Sequence, residues 1–282
     1  MKYRDALALA RLRFSDSNSA RLDAEFLLQR AVERDRASVL THLDEELTTE
    51  QAIQFEAWVA RRARHEPIQY ILGETEFYGL PFRVTPDVLI PRPETEHLIE
   101  RVAEAAAGFS APRIVDVGTG SGAIAVTLAK LLPQALITSI DISAPAVAIA
   151  QENAARNGVE VRLLVGDLLA PVEGERFEMV VSNPPYVPLA DRASLSVEVR
   201  EFEPKLALFA GDDGLDIYRR LIPAAWERLV PGGLIALEIG YGQQTSIAQL
   251  LNESGFEEIV FTPDLQGIAR VACGRRALVH GV

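Results

Sequence analysis

The chain has 282 residues but only one cysteine and four histidines. Because Cys273 has no second cysteine to pair with, an intrachain disulfide is excluded. The histidines are scattered, and no Cys/His cluster has the spacing of metal ligands, so we expect no metal site. A chain of this length is long enough to be stabilised by an ordinary hydrophobic core.

Long apolar runs are also missing from the sequence. No stretch approaches the ~18 consecutive apolar residues that a membrane-spanning helix needs. At the N-terminus, Asp5 and Arg11 interrupt any segment that could serve as the apolar core of a signal peptide. We therefore expect a cytoplasmic protein without a membrane anchor, and we expect a monomer.

The chain lacks the excess of basic residues that gripping a long phosphate backbone would require. Its formal net charge is −12. Residues 1–84 carry 12 Lys/Arg against 14 Asp/Glu, and residues 85–282 carry 16 against 26, which leaves the larger part at −10. This balance argues against duplex DNA as the main partner.

The first 66 residues have the apolar spacing of short helices. The pattern predicts helices over residues 3–14, 19–32, 35–42 and 48–64, the last with a capping-type start at Thr48. Pro67 ends the last helix. Residues 68–73 and 77–84 are rich in β-formers and are interrupted by glycine, which predicts a β-hairpin connector over residues 67–84.

From residue 85 onward the sequence alternates between strands and helices. Helices are predicted over residues 94–107, 121–132, 144–157, 215–230 and 243–253. The predicted strands cover residues 114–117, 136–141, 161–165, 177–182, 234–239, 257–262 and 268–274. This alternation predicts an α/β domain over residues 85–282 with a seven-stranded, mostly parallel, Rossmann-like sheet. The short loop between the last two strands suggests one antiparallel strand at the edge.

A glycine-rich segment, Asp116–Gly122, lies where the first of these strands becomes a helix. Glycines there let the backbone turn tightly and approach a ligand, and the helix N-terminus offers free N–H groups. Asp141 ends the next strand, where a carboxylate can accept hydrogen bonds from both ribose hydroxyls. Asp167 follows the third strand and could accept the exocyclic amine of adenine or cap a turn. The pattern also fits a loose dinucleotide motif, so it favours an adenosyl ligand without separating a methyltransferase from a dehydrogenase.

The segment that separates these two possibilities is Asn183-Pro184-Pro185-Tyr186, directly after the fourth strand. It should face the same crevice as the glycine loop. The two prolines fix the backbone and remove N–H donors, which leaves the Asn183 side-chain carbonyl and the Pro184 carbonyl as acceptors. Such an array suits an –NH2 group on a planar substrate, with Tyr186 packed against that group. The sequence therefore predicts an S-adenosylmethionine-dependent methyltransferase acting on a planar amide nitrogen.

At this point the chain resembles a known family, the peptide chain release factor glutamine methyltransferases, or HemK-type protein methyltransferases. The resemblance covers nearly the whole chain. Besides the two motifs above, it rests on residues 67–73, 77–80, 90–96 and 202–211. The Asn-Pro-Pro-Tyr motif alone is shared with adenine and cytosine amino-methyltransferases.

The resemblance implies a substrate, the glutamine in the Gly-Gly-Gln loop of class 1 release factors, and a helical N-terminal domain, residues 1–66, that helps to hold the release factor. Asn183, Pro184 and Tyr186 are the expected catalytic residues, and Asn183, Pro184, Pro185 and Tyr186 are expected to contact the target glutamine. Leu168 stands where the family often has an aromatic residue against adenine, so an apolar contact is expected there. The expected cofactor-binding residues are Gly118, Thr119, Gly120, Ser121, Gly122, Asp141, Asp167, Leu168 and Asn183.

Several alternatives stay open at the level of sequence. The same motifs would serve a methyltransferase for a ribosomal-protein glutamine, or, against the acidic charge, a nucleic-acid amino-methyltransferase. A nucleotide-binding regulatory protein without methyl transfer is a further alternative. Arg92 could pair with the cofactor's carboxylate or with a structural acid. Glu238, at the end of the fifth strand, could face the crevice or cap a neighbour.

Overall fold

The structure is a computed structural model that describes residues 1–14, 17, 19–264 and 266–278. Its described residues divide into two compact units. One comprises Met1–Glu74 together with Ser196–Phe202, and the other comprises Thr75–Leu195 and the chain from Glu203 onward. Among the helices of the described residues, none is both long and apolar enough to cross a membrane.

The helical unit is built from short helices whose ends match local sequence signals. Asp35 accepts a hydrogen bond from the Ser38 amide at 2.7 Å, and Thr48 and Gln51 form a reciprocal capping box. The helices pack around buried apolar residues that include Leu27, Leu28 and Phe55. Their bounds are Tyr3–Arg13 (α1), Ala20–Val32 (α2), Arg36–Thr41 (α3), Thr49–Arg62 (α4) and Ile68–Leu72 (α5).

The predicted strand over residues 68–73 is wrong, because this segment forms the helix α5. Pro67 accepts hydrogen bonds from the amides of Tyr70 and Ile71, and Gly73 ends the turn in the left-handed conformation with φ of 75°. Ile68, Ile71 and Leu72 then pack into the helical core at a spacing of three and four residues, which overrides their β-propensity. A hairpin does follow, from Glu74–Phe77 (β1) and Leu80–Arg83 (β2).

A segment far along the chain, Ser196–Phe202, belongs to the helical unit. It contains the short helix Val197–Phe202 (α9). Glu198 accepts a hydrogen bond at 2.6 Å from Arg62, whose side chain is buried and also donates to Asp23 at 2.7 Å. The loop that follows the Asn-Pro-Pro-Tyr motif therefore leaves the sheet unit and returns to it within a few residues.

The second unit contains a seven-stranded sheet within the described residues, in the order β5-β4-β3-β6-β7-β9-β8. Its strands are Arg113–Val117 (β3), Leu136–Asp141 (β4), Arg162–Val165 (β5), Phe177–Ser182 (β6), Leu229–Glu238 (β7), Phe256–Pro263 (β8) and Ala269–Arg276 (β9). Its helices are Thr95–Ala106 (α6), Ala123–Leu131 (α7), Ala144–Asn157 (α8), Asp216–Arg228 (α10) and Gln244–Glu253 (α11). Buried apolar residues cover both faces of the sheet, as a parallel sheet requires.

The α/β class and the mostly parallel seven-stranded sheet confirm the prediction. The predicted position of the antiparallel strand, at the edge of the sheet, is wrong. β9 is antiparallel to both of its neighbours, and it lies between β7 and β8 rather than at the edge. The sequence showed a short connection between β8 and β9, which fixes their pairing but not which of them reaches β7. The strand order also puts β3, β6 and β7 side by side, so their carboxyl ends meet at one crevice.

Candidate active site

The glycine loop joins β3 to α7 through three glycines in the left-handed conformation. Gly118, Gly120 and Gly122 have φ of 86°, 54° and 83°. At Gly122 space is also tight, because a Cβ atom would lie 3.1 Å from the Cβ and 3.2 Å from the Cα of Ala150. Glycine is thus favoured there by the backbone conformation and by the close approach of α8. The loop brings the N-terminus of α7 to the crevice.

Asp141, the last residue of β4, holds this loop in place. One carboxylate oxygen accepts the Gly120 amide at 2.9 Å, and the other accepts the Ser143 amide at 2.8 Å. Each carboxylate oxygen has further acceptor capacity, which is available to ribose hydroxyls. The position fits the predicted ribose contact, since β4 and β3 are paired and end at the same edge of the sheet.

A buried network of hydrogen-bonded side chains lies beneath the glycine loop. Ser139 donates to one oxygen of Asp116 at 2.7 Å, and its hydroxyl lies 2.6 Å from the hydroxyl of Thr119. Asp116 is fully buried, and burial raises the pKa of its carboxyl group to about 7, with a further contribution from the charge of Asp141. These contacts fix the backbone of the loop from below.

The Asn-Pro-Pro-Tyr segment leaves β6 beside the glycine loop. The Ser182 hydroxyl donates to the Val117 carbonyl at 2.6 Å, which ties the ends of β6 and β3 together. A Cβ atom added at Gly118 would lie 3.7 Å from the Asn183 carbonyl oxygen. The two predicted motifs therefore meet, as their positions in the sequence implied.

Both motifs line one cavity of about 270 Å³. Ile140, Ile142 and Leu168 contribute apolar groups to its lining, and the glycine loop and Asp141 contribute polar groups. Such a combination fits an adenosyl group, with the base against apolar side chains and the ribose at the carboxylate. The predicted residues that line the cavity are Gly118, Thr119, Gly120, Ser121, Asp141, Asp167, Leu168, Asn183, Pro184 and Pro185.

Gly122 and Tyr186 do not line this cavity among the residues that the structure describes. Gly122 caps α7 behind the loop, so its contribution is to the shape of the loop. Tyr186 packs deeper, where its hydroxyl lies 3.5 Å from one oxygen of Glu238. Burial, followed by the nearby charge of Glu238, raises the pKa of Tyr186 above its ordinary value, so its hydroxyl stays protonated at neutral pH.

Tyr186 is held by two glycines and Gln243. The Gln243 side chain donates to the Tyr186 carbonyl at 3.0 Å and accepts from the Gly240 amide at 2.9 Å. A Cβ atom at Gly214 would lie 2.3 Å from the Tyr186 carbonyl oxygen, and one at Gly240 would lie 2.9 Å from the ring. Gly214, Gly240 and Gln243 therefore set the position of Tyr186, although no local sequence signal points to them.

Two predicted residues have ion-pair partners that the sequence did not reveal. Asp167 pairs with Arg220 of α10, and both side chains are about half exposed and line the cavity. Arg92 pairs with Glu203, whose side chain is buried, and Arg92 also lines the cavity. The expected contact of Asp167 with adenine stays a prediction.

Thr95 and Glu238 are among the residues at this site to which sequence reasoning assigned no definite role. Thr95, at the start of α6, accepts a hydrogen bond from the Asn183 side-chain amide at 3.2 Å and donates one to Glu238 at 2.6 Å. Burial raises the pKa of Glu238 to about 7, opposed by the hydrogen bond from Thr95. Glu238 thus contacts the site through Thr95 and Tyr186, and among the described residues it is not one that lines the cavity itself.

No group of three or more His, Cys, Asp or Glu residues in the described part of the chain could hold a metal ion.

Family profiles match two parts of the chain. The "PrmC N-terminal domain" matches residues 5–73, and the "Methyltransferase small domain" matches residues 93–198. The second match includes both the glycine loop and the Asn-Pro-Pro-Tyr segment.

Relatives cover nearly the whole chain. The release factor glutamine methyltransferase of Koribacter versatilis (strain Ellin345) is 46% identical over 95% of this chain and 96% of its own length. The chain belongs to the release factor glutamine methyltransferase family. The protein of the same name from Geobacter sulfurreducens is 46% identical over 91% and 90% of the two chains, and that from Deinococcus radiodurans is 41% identical over 98% and 99%. Membership in this family confirms the prediction of an S-adenosylmethionine-dependent methyltransferase.

Solved structures support the fold of this family member. The ribosomal protein L11 methylase from Lactobacillus delbrueckii subsp. bulgaricus is 26% identical, with a TM-score of 0.51 over 69% of this chain and 85% of that chain. The Thermus thermophilus 16S rRNA N2 G1207 methyltransferase, solved with AdoMet and guanosine, is 20% identical, with a TM-score of 0.53 over 72% and 49%. The second likeness concerns the fold alone.

Proposed function

We propose that this enzyme methylates the side-chain amide nitrogen of the glutamine in the Gly-Gly-Gln motif of class 1 peptide chain release factors. The observation that carries the proposal is the meeting of Asn183 and Pro184 with the Gly118–Ser121 loop in one cavity. The name shared by relatives at 41–46% identity supports this substrate. A cytoplasmic location, where translation takes place, and a monomeric state belong to the same proposal.

The chemical difficulty of the reaction is that an amide nitrogen is a poor nucleophile, because its lone pair is delocalised. S-adenosylmethionine supplies a methyl group already activated by the sulfonium charge. Asn183 and the Pro184 carbonyl would accept the two N–H bonds of the glutamine amide and hold its nitrogen in line with that methyl group. Positioning of this kind can supply roughly 7–11 kcal/mol of a barrier. The proton can leave after transfer, so no strong base is needed.

Tyr186 would support the target from behind. Its backbone is fixed by Gln243, and its ring lies against Gly240. A phenol that stays protonated offers a neutral face to the planar amide and no competing charge. Tyr186 therefore would shape the site, and Asn183 with Pro184 would hold the reacting atom.

The substrate assignment is tested with labelled methyl groups. The protein is incubated with radiolabelled S-adenosylmethionine and, separately, with class 1 release factor, ribosomal proteins and duplex DNA. We expect label in the release factor, at the glutamine of Gly-Gly-Gln. A release factor with alanine in place of that glutamine is the matched control and should take up none. Label in ribosomal protein or DNA, with none in release factor, would sink the proposal in favour of the alternatives named above.

We further propose that the helical unit, predicted over residues 1–66, recognises the body of the release factor. Large apolar side chains are exposed on it, with Leu12 at 78%, Phe26 at 52% and Ile53 at 65% of their free surface. Burying such side chains against a partner protein would stabilise a complex through the hydrophobic effect. α9, which lies in the chain segment after Tyr186, belongs to the same unit.

Replacing Phe26 by serine should weaken the enzyme's hold on its substrate without touching the chemistry. We expect KM for the release factor to rise about 5- to 30-fold, the usual effect of losing an aromatic anchor, with kcat unchanged. Steady-state kinetics of methyl transfer measure both constants. Leu136→Ser is the control, because Leu136 is 63% exposed but lies at the amino end of β4, away from the cavity. Equal KM values for the two variants would contradict a recognition role for Phe26.

A further inference from the structure

A chain of hydrogen bonds runs from Asn183 to a buried carboxylate. The Asn183 side chain lies 3.2 Å from the Thr95 hydroxyl, and that hydroxyl lies 2.6 Å from one oxygen of Glu238. Thr95 and Glu238 are 4% and 2% exposed. The three residues come from the end of β6, the start of α6 and the end of β7, so the fold rather than the local sequence brings them together.

The donors and acceptors of this chain allow one arrangement when Glu238 is ionised. A carboxylate only accepts, so the single hydrogen of the Thr95 hydroxyl must point to Glu238. Thr95 can then only accept from Asn183, and only the Asn183 –NH2 group can donate. The amide of Asn183 therefore places its nitrogen against Thr95 and its oxygen on the other side.

We propose that Thr95 and Glu238 are positioning residues that keep the Asn183 amide oxygen turned toward the substrate nitrogen. The inference rests on the proposed function, in which that oxygen accepts an N–H bond of the target amide. A flipped Asn183 would present –NH2 to –NH2, which repels the substrate instead of holding it. An isolated asparagine in this place would have little reason to prefer one orientation, because its two ends differ little in shape.

The orientation of the Asn183 amide depends on the charge state of Glu238. Burial raises its pKa to about 7. Glu94, in the segment before α6, raises the pKa through its charge, while Arg270 of β9 and the hydrogen bonds from Thr95 and Tyr186 lower it. Tyr218 of α10 donates to the Glu238 backbone carbonyl at 2.7 Å. Once protonated, Glu238 could donate to Thr95 and release the Thr95 hydrogen toward Asn183, which permits the wrong orientation.

The decisive comparison is Thr95→Val against Thr95→Ser. Valine keeps the shape of threonine and removes the hydroxyl, so we expect kcat for release factor methylation to fall roughly 10- to 100-fold, by analogy with the loss of a hydrogen-bond partner that orients a metal ligand. Serine keeps the hydroxyl and should stay within about threefold of the wild type. Affinity for S-adenosylmethionine, measured by calorimetry, should change little in either variant, and thermal unfolding shows that both are folded.

Thr127→Val is the matched control for removing a buried hydroxyl. Thr127 lies in α7, is fully buried, and its hydroxyl has no hydrogen-bond partner among the described residues. We expect this variant to keep the wild-type kcat. A loss in Thr127→Val as large as that in Thr95→Val, or equal rates for the valine and serine variants of Thr95, would overturn the inference.

The pH profile provides a signature that a merely structural role would not give. Because ionised Glu238 is the working form, wild-type kcat should fall as the pH drops below about 7. Glutamine cannot titrate, so Glu238→Gln should lack this acid limb between pH 6 and 8. An unchanged acid limb in Glu238→Gln would show that Glu238 is not the titrating group and overturn its part in orienting Asn183.

These outcomes also separate this inference from the proposed function. A wild-type enzyme that labels no release factor glutamine would overturn both. A wild-type enzyme that does label it, together with a Thr95→Val variant of equal kcat, would overturn the positioning role alone.

Discussion

Asn183→Ala is expected to reduce methyl transfer to the release factor roughly 100- to 1,000-fold in kcat, which is the usual cost of removing one directed hydrogen-bonding group from an active site. The side-chain oxygen is lost, and one N–H bond of the target amide is left without an acceptor. The nitrogen then samples orientations in which its lone pair is not aimed at the methyl group. Single-turnover assays with labelled S-adenosylmethionine measure the effect on chemistry directly.

Cofactor binding should survive the same substitution. The glycine loop is held by Asp141 and by the buried network of hydrogen-bonded side chains under Thr119, and neither contacts the Asn183 side chain in the structure. We therefore expect less than about a tenfold change in the dissociation constant of S-adenosylmethionine, below the cost of one hydrogen bond to a charged group. Asn252→Ala, at an exposed position on α11, is the control and should have wild-type activity. Turnover of Asn183→Ala within threefold of the control would mean that the acceptor array is not the catalytic device.

The sequence predicted the parts of this fold that depend on local signals. The glycines at the end of β3, Asp141 at the end of β4 and the prolines after β6 each sit at a strand terminus, and strand termini can be read from periodicity. The parallel order of these strands follows from their alternation with helices. For that reason the amino-acid sequence alone was enough to predict that the two motifs meet.

The rest could not be predicted because it depends on pairs that are far apart in the chain. Thr95 and Glu238 are separated by 143 residues, and Asn183 and Thr95 by 88. The contact between Glu238 and Thr95 depends on where α6 packs against β7. The helix α5 was mistaken for a strand because Ile68 and Ile71 favour β-structure, while the core of the helical unit selected the helical spacing.

Asp141→Asn is expected to weaken binding of S-adenosylmethionine by at least about 100-fold. Both oxygens of Asp141 accept backbone N–H groups, at 2.9 Å from Gly120 and 2.8 Å from Ser143. In asparagine one of these oxygens becomes –NH2, which faces an N–H donor instead of accepting from it. The loop loses one charge-assisted hydrogen bond and the ribose loses another, at about 1.5–3 kcal/mol each. Calorimetric titration with the cofactor measures the loss.

Asp167→Asn is the matched control, because Asp167 lines the same cavity and is also a predicted cofactor ligand. Its ion pair with Arg220 is about half exposed, so losing the charge costs at most about 1 kcal/mol. The asparagine oxygen can still accept the adenine amine, and we expect less than about a tenfold loss of affinity. Equal losses in the two variants would contradict the assignment of the ribose to Asp141.

The effect of Asp141→Asn on turnover follows from the separate roles of the residues at the site. Asp141 shapes the loop and the cofactor site, while in the proposed mechanism Asn183 and Pro184 hold the target nitrogen and Thr95 orients Asn183. At saturating S-adenosylmethionine, the turnover rate of Asp141→Asn should therefore approach that of the wild type, whereas the turnover rate of Asn183→Ala should stay low. If the turnover rate of Asp141→Asn stayed low at saturating cofactor, the loop that Asp141 fixes would have to align the methyl group as well as bind the nucleoside. Cofactor binding and positioning of the reacting groups would then not be separable.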